Sequence, residues 1–229
     1  MKKLTLVRHG QSQWNLENRF TGWVDAPLTE KGMEEAQAAG QKILAAGLSF
    51  DFAFTSVLQR AIRTLWFILQ ESDQVWVPVE KHWRLNERHY GGLQGLNKQE
   101  TRDKYGDEQV FQWRRSYKTP PPPASGEFQD QQLKDRRYSQ IDPKDFPSGE
   151  ALFHTLERVK PYWIDQMLPV IQSSQSVLVA AHGNSLRALV KLLTDMSDDE
   201  ITKFEFATGV PLVCELDDQF KVASMDWLR

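Results

Sequence analysis

The sequence has one cysteine, no long apolar run and no excess of positive charge, and each absence excludes a class of protein. A single thiol, Cys214, forms neither a disulfide framework nor a thiolate metal site within one chain. No stretch approaches the roughly 18 apolar residues of a membrane-spanning helix, and Leu4–Val7 is too short for the core of a signal peptide. We therefore expect a cytoplasmic protein with no membrane partner.

Several chemical signatures are also missing. The sequence contains no Gly-x-x-x-x-Gly-Lys-Ser/Thr phosphate loop, no His-Glu-x-x-His metal helix and no Gly-x-Ser-x-Gly nucleophile turn. The formal net charge of -3 speaks against a broad basic surface for nucleic acid. These absences favour a protein that binds neither metal nor nucleic acid.

Strand and helix patterns alternate along the 229 residues, and this alternation predicts a mostly parallel sheet. We predict a single α/β domain over residues 1–229, a three-layer sandwich in which helices flank the central sheet. The predicted strands are Leu4–Val7, Phe52–Thr55, Val75–Val79, Ser176–Ala181 and Pro211–Leu216. The predicted helices follow Thr29 and cover about 57–69, 152–167 and 184–193, with a bend expected at Pro161.

A long region from about residue 83 to residue 146 interrupts this alternation. It is polar, aromatic and basic, contains a run of four prolines after Thr119, and predicts helices only near 98–105 and 108–115. Insertions of this length in a compact domain are more often functional lids than linkers. We predict a lid insertion over about 83–146.

Two buried-type strands, far apart in the sequence, each end in His-Gly. The first strand leads into Arg8, His9 and Gly10, and the fourth leads into His182 and Gly183. Open α/β sheets place their chemistry beyond the carboxyl ends of strands, so both imidazoles are expected to face one ligand. Taken singly, each pair could be a structural turn. Together with the adjacent arginine they favour an anion site at which imidazole carries a phosphoryl group.

Longer strings of residues connect the chain to a known family. The segments 8–15, 85–98, 112–115 and 180–187 resemble the histidine phosphatase superfamily, and within it the 2,3-bisphosphoglycerate-dependent phosphoglycerate mutases. The resemblance spans nearly the whole chain. It implies an isomerase that interconverts 3-phosphoglycerate and 2-phosphoglycerate in glycolysis and gluconeogenesis. It further implies a phosphohistidine intermediate, 2,3-bisphosphoglycerate as the phosphoryl primer and no metal, and it leaves a homodimer open.

The resemblance also implies a role for each matching residue. His9 would carry the phosphoryl group, with Arg8, Arg60 and His182 around it, and Glu87 would move the proton of the substrate hydroxyl. The substrate-binding residues would be Gln11, Ser12, Asn15, Thr21, Gly22, Arg88, His89, Tyr90, Lys98, Arg114, Arg115, Gly183 and Asn184. Many family members carry Glu at the position of Gln11, and His89 is expected mainly to support its own loop.

Other functions stay open at this point. A hydrolase of the same fold would use His9 and Glu87 in the same way and pass the phosphoryl group to water, but the cations Lys98, Arg114 and Arg115 argue against it. A noncatalytic sensor of a phosphorylated metabolite would need neither a nucleophile nor a proton shuttle. Many relatives extend beyond the position of Arg229 in a flexible tail over the site, so the balance of mutase to phosphatase activity also stays open.

Overall fold

One mixed six-stranded sheet forms the centre of the protein. The computed structural model describes residues 1–228, except for the side chains at 127 and 128. The strands are β1 (Lys2–Arg8), β2 (Phe52–Thr55), β3 (Val79–Lys81), β4 (Ser176–Ala181), β5 (Pro211–Leu216) and β6 (Val222–Trp227). Their order is β3-β2-β4-β1-β5-β6, in which the first four strands run parallel and the last two pairings are antiparallel. This confirms the predicted α/β class with a mostly parallel sheet.

Helices cover both faces of the sheet. They are α1 (Gln13–Leu16), α2 (Glu30–Ala45), α3 (Gln59–Glu71), α4 (Lys98–Tyr105), α5 (Asp107–Arg115), α6 (Glu127–Leu133), α7 (Leu152–Tyr162), α8 (Leu168–Ser173), α9 (Gly183–Leu193) and α10 (Asp198–Lys203). A π-helical turn, Trp163–Met167, joins α7 to α8. The N-cap predicted at Thr29 is present, because its side chain accepts a hydrogen bond from the Gly32 N–H.

Side chains along the central strands alternate between two apolar cores, one on each face of the sheet. Leu6 and Val179 point to one face, where α7, α8, α9 and α10 pack, whereas Val7 and Leu178 point to the other face, where α2 and α3 pack. Because side chains of a strand alternate between faces, this arrangement gives the predicted three layers. Each core residue named here is fully buried.

The register between β1 and β4 places the two His-Gly turns side by side. Arg8 pairs with Ala181 at the carboxyl ends of the two strands. The next backbone N–H, of His9, donates to the Ala181 carbonyl at 3.0 Å. Both chains therefore leave the sheet at the same level, and the residues that follow begin the walls of one site.

The structure corrects the prediction at two edges of the sheet. Val75–Val79 is not a strand: residues 75–77 lie in a turn, Val75 and Trp76 are exposed, and β3 begins only at Val79. Val75 and Trp76 face solvent, and Val77 is buried in the core beside α3 without leaving the turn, so the strand propensity of this segment is overridden. The sequence reading also missed β6, whose mixed burial pattern lacks the alternation of a half-buried strand.

Residues 83–146 contain short helices held by two small clusters above the sheet. The helices predicted at 98–105 and 108–115 are confirmed as α4 and α5. One cluster packs Tyr138, Ile141 and Phe146 around Trp23, and the other packs Leu93 and Val110 around Phe20. The region is thereby fastened to residues 20–23. That it opens and closes as a lid stays a prediction.

Two glycines let the loop after β1 lie directly on the start of α2. A Cβ atom on Gly32 would overlap the carbonyl oxygen of Gln11, and one on Gly10 would overlap the carbonyl oxygen of Gly32. The overlapping atoms are backbone, so they cannot swing aside as a flexible side chain would. The turn that carries His9 is thus seated on a helix by backbone contact.

We expect Gly32→Ala to lower the free energy of unfolding by about 1–3 kcal/mol through overpacking. In an open helix the same change would raise stability by up to about 1 kcal/mol, so the sign is diagnostic. Urea denaturation measures it, with Lys31→Ala on the exposed side of the same turn as the control, expected within about 0.5 kcal/mol of wild type. Stabilisation by Gly32→Ala would contradict the close approach.

Candidate active site

The backbone sets the tautomer of His9 at the end of β1. Its Nδ1 lies 2.7 Å from the carbonyl oxygen of Gly10, and because a carbonyl only accepts, Nδ1 carries the proton and donates. The other ring nitrogen, Nε2, then holds a lone pair. The Nε of Arg60 donates to it at 3.3 Å. The imidazole is 3% exposed and presents an unprotonated nitrogen to the cavity described below.

His182 lies beside His9 at the start of α9. The ring centroids are 4.9 Å apart with an interplanar angle of 64°, and His182 is fully buried. Its Nε2 is 2.8 Å from the hydroxyl of Ser56, which follows β2. Three parallel strands thus contribute to one imidazole pair, and the structure brings together the two His-Gly turns of the sequence.

Two arginines frame this pair from different elements. Arg60, in the first turn of α3, is fully buried and donates from both Nη atoms to the carbonyls of Gly22 and Val24, at 2.8 Å each. Arg8 donates from Nη1 to the carbonyl of Phe206 at 2.9 Å, and its buried Nε has no partner within residues 1–228. The guanidinium groups are therefore fixed in position before any ligand arrives.

Glu87 faces the histidines from the 83–146 region. Its Oε1 accepts the backbone N–H groups of Arg88 at 2.8 Å and of Asn184, in α9, at 3.1 Å. Behind it, the Glu87 carbonyl accepts bonds from Trp23 Nε1 at 2.6 Å and from Arg158 Nη2 at 2.9 Å. Both faces of this residue are held, so the carboxyl group is rigidly placed.

Of these groups, Arg8, His9, Arg60 and Glu87 line a cavity of about 260 Å³. His182, which is fully buried, lies behind His9 and is not part of the cavity wall. Seven of its lining side chains are cationic and two are carboxylates, so the cavity is suited to an anion with several negative charges. The predicted site residues that line it are Arg8, His9, Asn15, Thr21, Gly22, Arg60, Glu87, Tyr90, Lys98, Arg114, Arg115, Gly183 and Asn184.

Four predicted substrate-binding residues lie behind this wall. Gln11 accepts a bond from Thr29 Oγ1 at 3.0 Å, and Ser12 caps α1 by accepting the Asn15 N–H at 3.2 Å. Arg88 packs over the ring of Tyr90 and donates to the carbonyl of Arg114 at 2.8 Å. His89 is fully buried, with Nε2 2.9 Å from Gln132 Oε1, as expected for a residue that supports its loop.

Four residues of the wall were not predicted as site residues: Arg19, Arg187, Glu205 and Phe206. Arg187 carried a usable signal, since it follows Gly183 by four residues and therefore shares its face of α9. Its Nη1 donates to Asn184 Oδ1 at 3.1 Å. Glu205 and Phe206 belong to an irregular segment between α10 and β5, which no local pattern connects to the site.

Burial and positive charge determine protonation here. Burial, and then the charges of Arg60 and Arg8, hold the pKa of His9 well below its usual 6.5, against the opposing hydrogen bond to Gly10. Burial and Arg60 also hold the pKa of His182 well below that value. For Glu87, burial raises the pKa, but the bonds from Arg88 and Asn184 and the nearby arginines outweigh it. At neutral pH both imidazoles are neutral and the carboxylate is ionised.

The chain shares this architecture with proteins of known family. Residues 4–142 match the histidine phosphatase superfamily (branch 1), and this match covers more than half of the chain. Over 228 residues the chain is 58% identical to 2,3-bisphosphoglycerate-dependent phosphoglycerate mutase 2 of Lactiplantibacillus plantarum, covering 100% of this chain and 99% of that protein. The chain belongs to the histidine phosphatase superfamily.

Solved structures agree with the superfamily fold. "Mycobacterial hydrolase 1" superposes with a TM-score of 0.73 at 19% identity, covering 99% of this chain and 96% of that one. The alpha-ribazole phosphatase from Shigella flexneri superposes with a TM-score of 0.70 at 23% identity, covering 96% and 93%. Within residues 1–228, no helix of this superfamily member has the length and apolar character needed to cross a bilayer. In the same residues no group of three or more His, Cys, Asp or Glu is arranged to hold a metal ion.

The lowered pKa values of the two histidines make stability depend on pH. Below about pH 6.5 His9 and His182 become protonated in the unfolded chain but stay neutral in the folded one. The free energy of unfolding should therefore fall as the solution is acidified from pH 7 to pH 5. Each such histidine contributes up to about 1.4 kcal/mol per pH unit. Urea denaturation at several pH values measures this slope.

In His9→Ala the dependence of the free energy of unfolding on pH should become shallower, by up to about 1.4 kcal/mol per pH unit. Leu178→Ala, a buried core substitution without a titrating group, is the control. It should lower stability equally at every pH and leave the slope unchanged. An unchanged slope in His9→Ala would contradict the neutral buried state of His9.

Proposed function

We propose that this protein interconverts 3-phosphoglycerate and 2-phosphoglycerate in glycolysis and gluconeogenesis through a phosphohistidine primed by 2,3-bisphosphoglycerate. The observation that carries this proposal is the 58% identity, over the whole chain, to a relative of that named activity. The superfamily match and the geometry around His9 support it independently. The reaction class is therefore isomerisation by transfer of a phosphoryl group to and from the protein.

His9 is the proposed nucleophile. Its Nε2 lone pair attacks the phosphorus of the bound phosphate ester, the Nε2–P bond forms, and the P–O bond to the substrate oxygen breaks. The Nδ1–H, held on the Gly10 carbonyl at 2.7 Å, keeps this tautomer in place and stabilises the positive charge that the ring acquires. A neutral imidazole at neutral pH is the reactive form, and the lowered pKa supplies it.

Arg8, Arg60 and His182 are proposed to bind the oxygens of the group in transit. Phosphoryl transfer spreads negative charge over three equatorial oxygens, and fixed donors stabilise that charge without reorganising. Arg60 is held by two carbonyls, and burial lowers its pKa only to about 10, so it stays charged. His182, 4.9 Å from His9 between ring centroids, adds a further polar group on the same side.

Glu87 is proposed to move the substrate proton. As the free hydroxyl of the bound substrate attacks the phosphohistidine, the ionised carboxylate accepts its proton, and it returns a proton to the oxygen that loses its phosphoryl group. The two backbone N–H donors on Oε1 keep this group ionised at rest and fix its direction. General acid-base help of this kind is worth about 10²- to 10⁴-fold in rate.

The remaining cations are proposed to hold the parts of the ligand that do not react. Lys98, Arg114 and Arg115 lie on α4 and α5 at the cavity wall and suit a carboxylate or a second phosphate. A primer with two phosphates and one carboxylate fits seven cationic neighbours better than a simple phosphate ester does. Arg88 is a positioning residue in this scheme, because it acts on the wall through Tyr90 and Arg114.

The other wall residues complete this substrate site in the same scheme. Asn15, Thr21, Gly22, Gly183 and Asn184 close the cavity around the ligand. Gln11, Ser12 and His89 act behind the wall by holding α1, α2 and the loop after Glu87. No metal takes part in the proposed steps, since His9 supplies the nucleophile and the arginines supply the charge. A cytoplasmic location goes with the glycolytic role, and a homodimer stays a prediction that light scattering decides.

The direct test is incubation of the purified protein with 3-phosphoglycerate, with and without a trace of 2,3-bisphosphoglycerate. We expect 2-phosphoglycerate to form, to depend on the primer, and to exceed free phosphate. His9→Ala should abolish both products, and labelled protein should carry an acid-labile phosphoryl group on His9 by peptide mapping. Free phosphate as the main product would favour the hydrolase, and a label on His182 would overturn the assignment of the nucleophile.

Glu87→Gln should retain binding of 3-phosphoglycerate and slow turnover by about 10²- to 10⁴-fold, because the amide keeps the shape but cannot exchange the proton. Steady-state kinetics separate the two effects. Glu150→Gln, which alters the partner of Arg158 behind the site, is the matched control and should act mainly on stability. Wild-type turnover in Glu87→Gln would leave that residue a structural role only.

A further inference from the structure

An ion pair spans the cavity wall at the end of α5. Arg115 Nη2 lies 2.6 Å from Glu205 Oε1, and the side chains are 31% and 63% exposed. Arg115 belongs to the helix that follows α4, whereas Glu205 belongs to the irregular segment after α10. The pair therefore joins two parts of the chain across the mouth of the site.

Both members of this pair line two spaces at once. They form part of the wall of the catalytic cavity, and they also line an adjoining, more open groove with Tyr117, Lys118 and Lys203. The pair is thus a partition between cavity and surface. A ligand anion that reaches the Arg115 guanidinium meets a carboxylate that already occupies it.

Glu205 is an unusual component of an anion site. Apart from Glu87, it is the only carboxylate among the cavity-lining residues of 1–228. Glu87 has a proton to move and is held by two backbone donors, whereas Glu205 is largely exposed. A carboxylate at this place repels incoming anions and satisfies a cation that would otherwise bind them.

We propose that Glu205 sets the anion specificity of the site by competing with the ligand for Arg115, and that it disfavours the bisphosphate primer more than the monophosphate substrate. The inference rests on the proposed function for the identity of the two ligands. At neutral pH 3-phosphoglycerate carries about three negative charges and 2,3-bisphosphoglycerate about five. Repulsion from one carboxylate grows with ligand charge, so the primer is weakened more.

This competition would have a use in a primed enzyme. In the proposed scheme the free primer loads His9, and the same bisphosphate forms again in the site whenever the substrate hydroxyl attacks the phosphohistidine. A site that held this bisphosphate as tightly as its charge allows would stay occupied by it and exclude the substrate. Glu205 moderates that affinity without touching the reacting atoms, so its effect belongs to binding and not to the chemical step.

The test uses Glu205→Gln, which removes the charge and keeps the size. We expect KM for 3-phosphoglycerate to fall about threefold, the half-saturating concentration of 2,3-bisphosphoglycerate to fall about sixfold, and kcat to change less than twofold. Both improvements in ligand binding should become smaller in high salt, because the ion pair is exposed and its interactions are screened. Asp199→Asn removes an equal charge from the adjoining groove on α10, outside the cavity wall, and should leave all three constants at wild type.

A double-mutant cycle separates competition from general repulsion. In an Arg115→Ala background Glu205→Gln should give less than half of its former gain, since the contested cation is gone. The full gain in that background would overturn the competition. If Glu205→Gln strengthened binding of the two ligands by the same factor, the proposed specificity would be overturned. Weaker or unchanged binding in Glu205→Gln would show that the carboxylate only positions Arg115.

Calorimetric binding keeps this test separate from the proposed function. His9→Ala and His9→Ala/Glu205→Gln are titrated with 3-phosphoglycerate and with 2,3-bisphosphoglycerate, so no turnover is required. If the wild type released free phosphate in place of 2-phosphoglycerate, the mutase proposal would fail, while the ratio of the two binding constants would still decide the role of Glu205.

Discussion

The parallel pairing of β1 with β4 is the constraint on which the rest of the site depends. Arg8 is opposite Ala181, so the chain leaves both strands at one level and delivers His9 and His182 side by side. A slip of one residue would turn every β1 side chain to the opposite face. The two cores on the faces of the sheet therefore hold the register, and burial of ordinary apolar residues is what aligns the two imidazoles.

Buried positive charge is tolerated around the site because backbone carbonyl groups accept hydrogen bonds from the arginines. Arg60, Arg8 and Arg158 each donate to carbonyl oxygens of loops, and Arg158 also pairs with Glu150 in the interior. These contacts desolvate the guanidinium groups and compensate for the lost water. Burial, and then the charges of Arg60 and Arg8, also lower the pKa of His9. Two of the arginines that hold these loops therefore help to keep His9 neutral.

The sequence predicted those parts of the protein whose cause is local. The strands at Phe52–Thr55, Ser176–Ala181 and Pro211–Leu216 carry apolar runs that match buried strands, and the His-Gly ends of β1 and β4 marked the centre of the site. The strand predicted at Val75–Val79 is wrong before Val79, because Val75 and Trp76 face solvent and Val77 is buried from within a turn, and composition reveals neither. The sequence did not identify Glu205 as a site residue, because Glu205 is connected to the cavity only by its tertiary contact with Arg115.

The place of β1 in the sheet has a consequence for synthesis of the chain. Of the six strands described within residues 1–228 it is made first, yet its two neighbours, β4 and β5, are the fourth and fifth strands along the sequence. At about 5–20 residues per second, roughly ten to thirty seconds of translation separate β1 from the end of β4. During that interval neither backbone edge of β1 has its native partner, so the centre of this sheet closes only after β4 has been made.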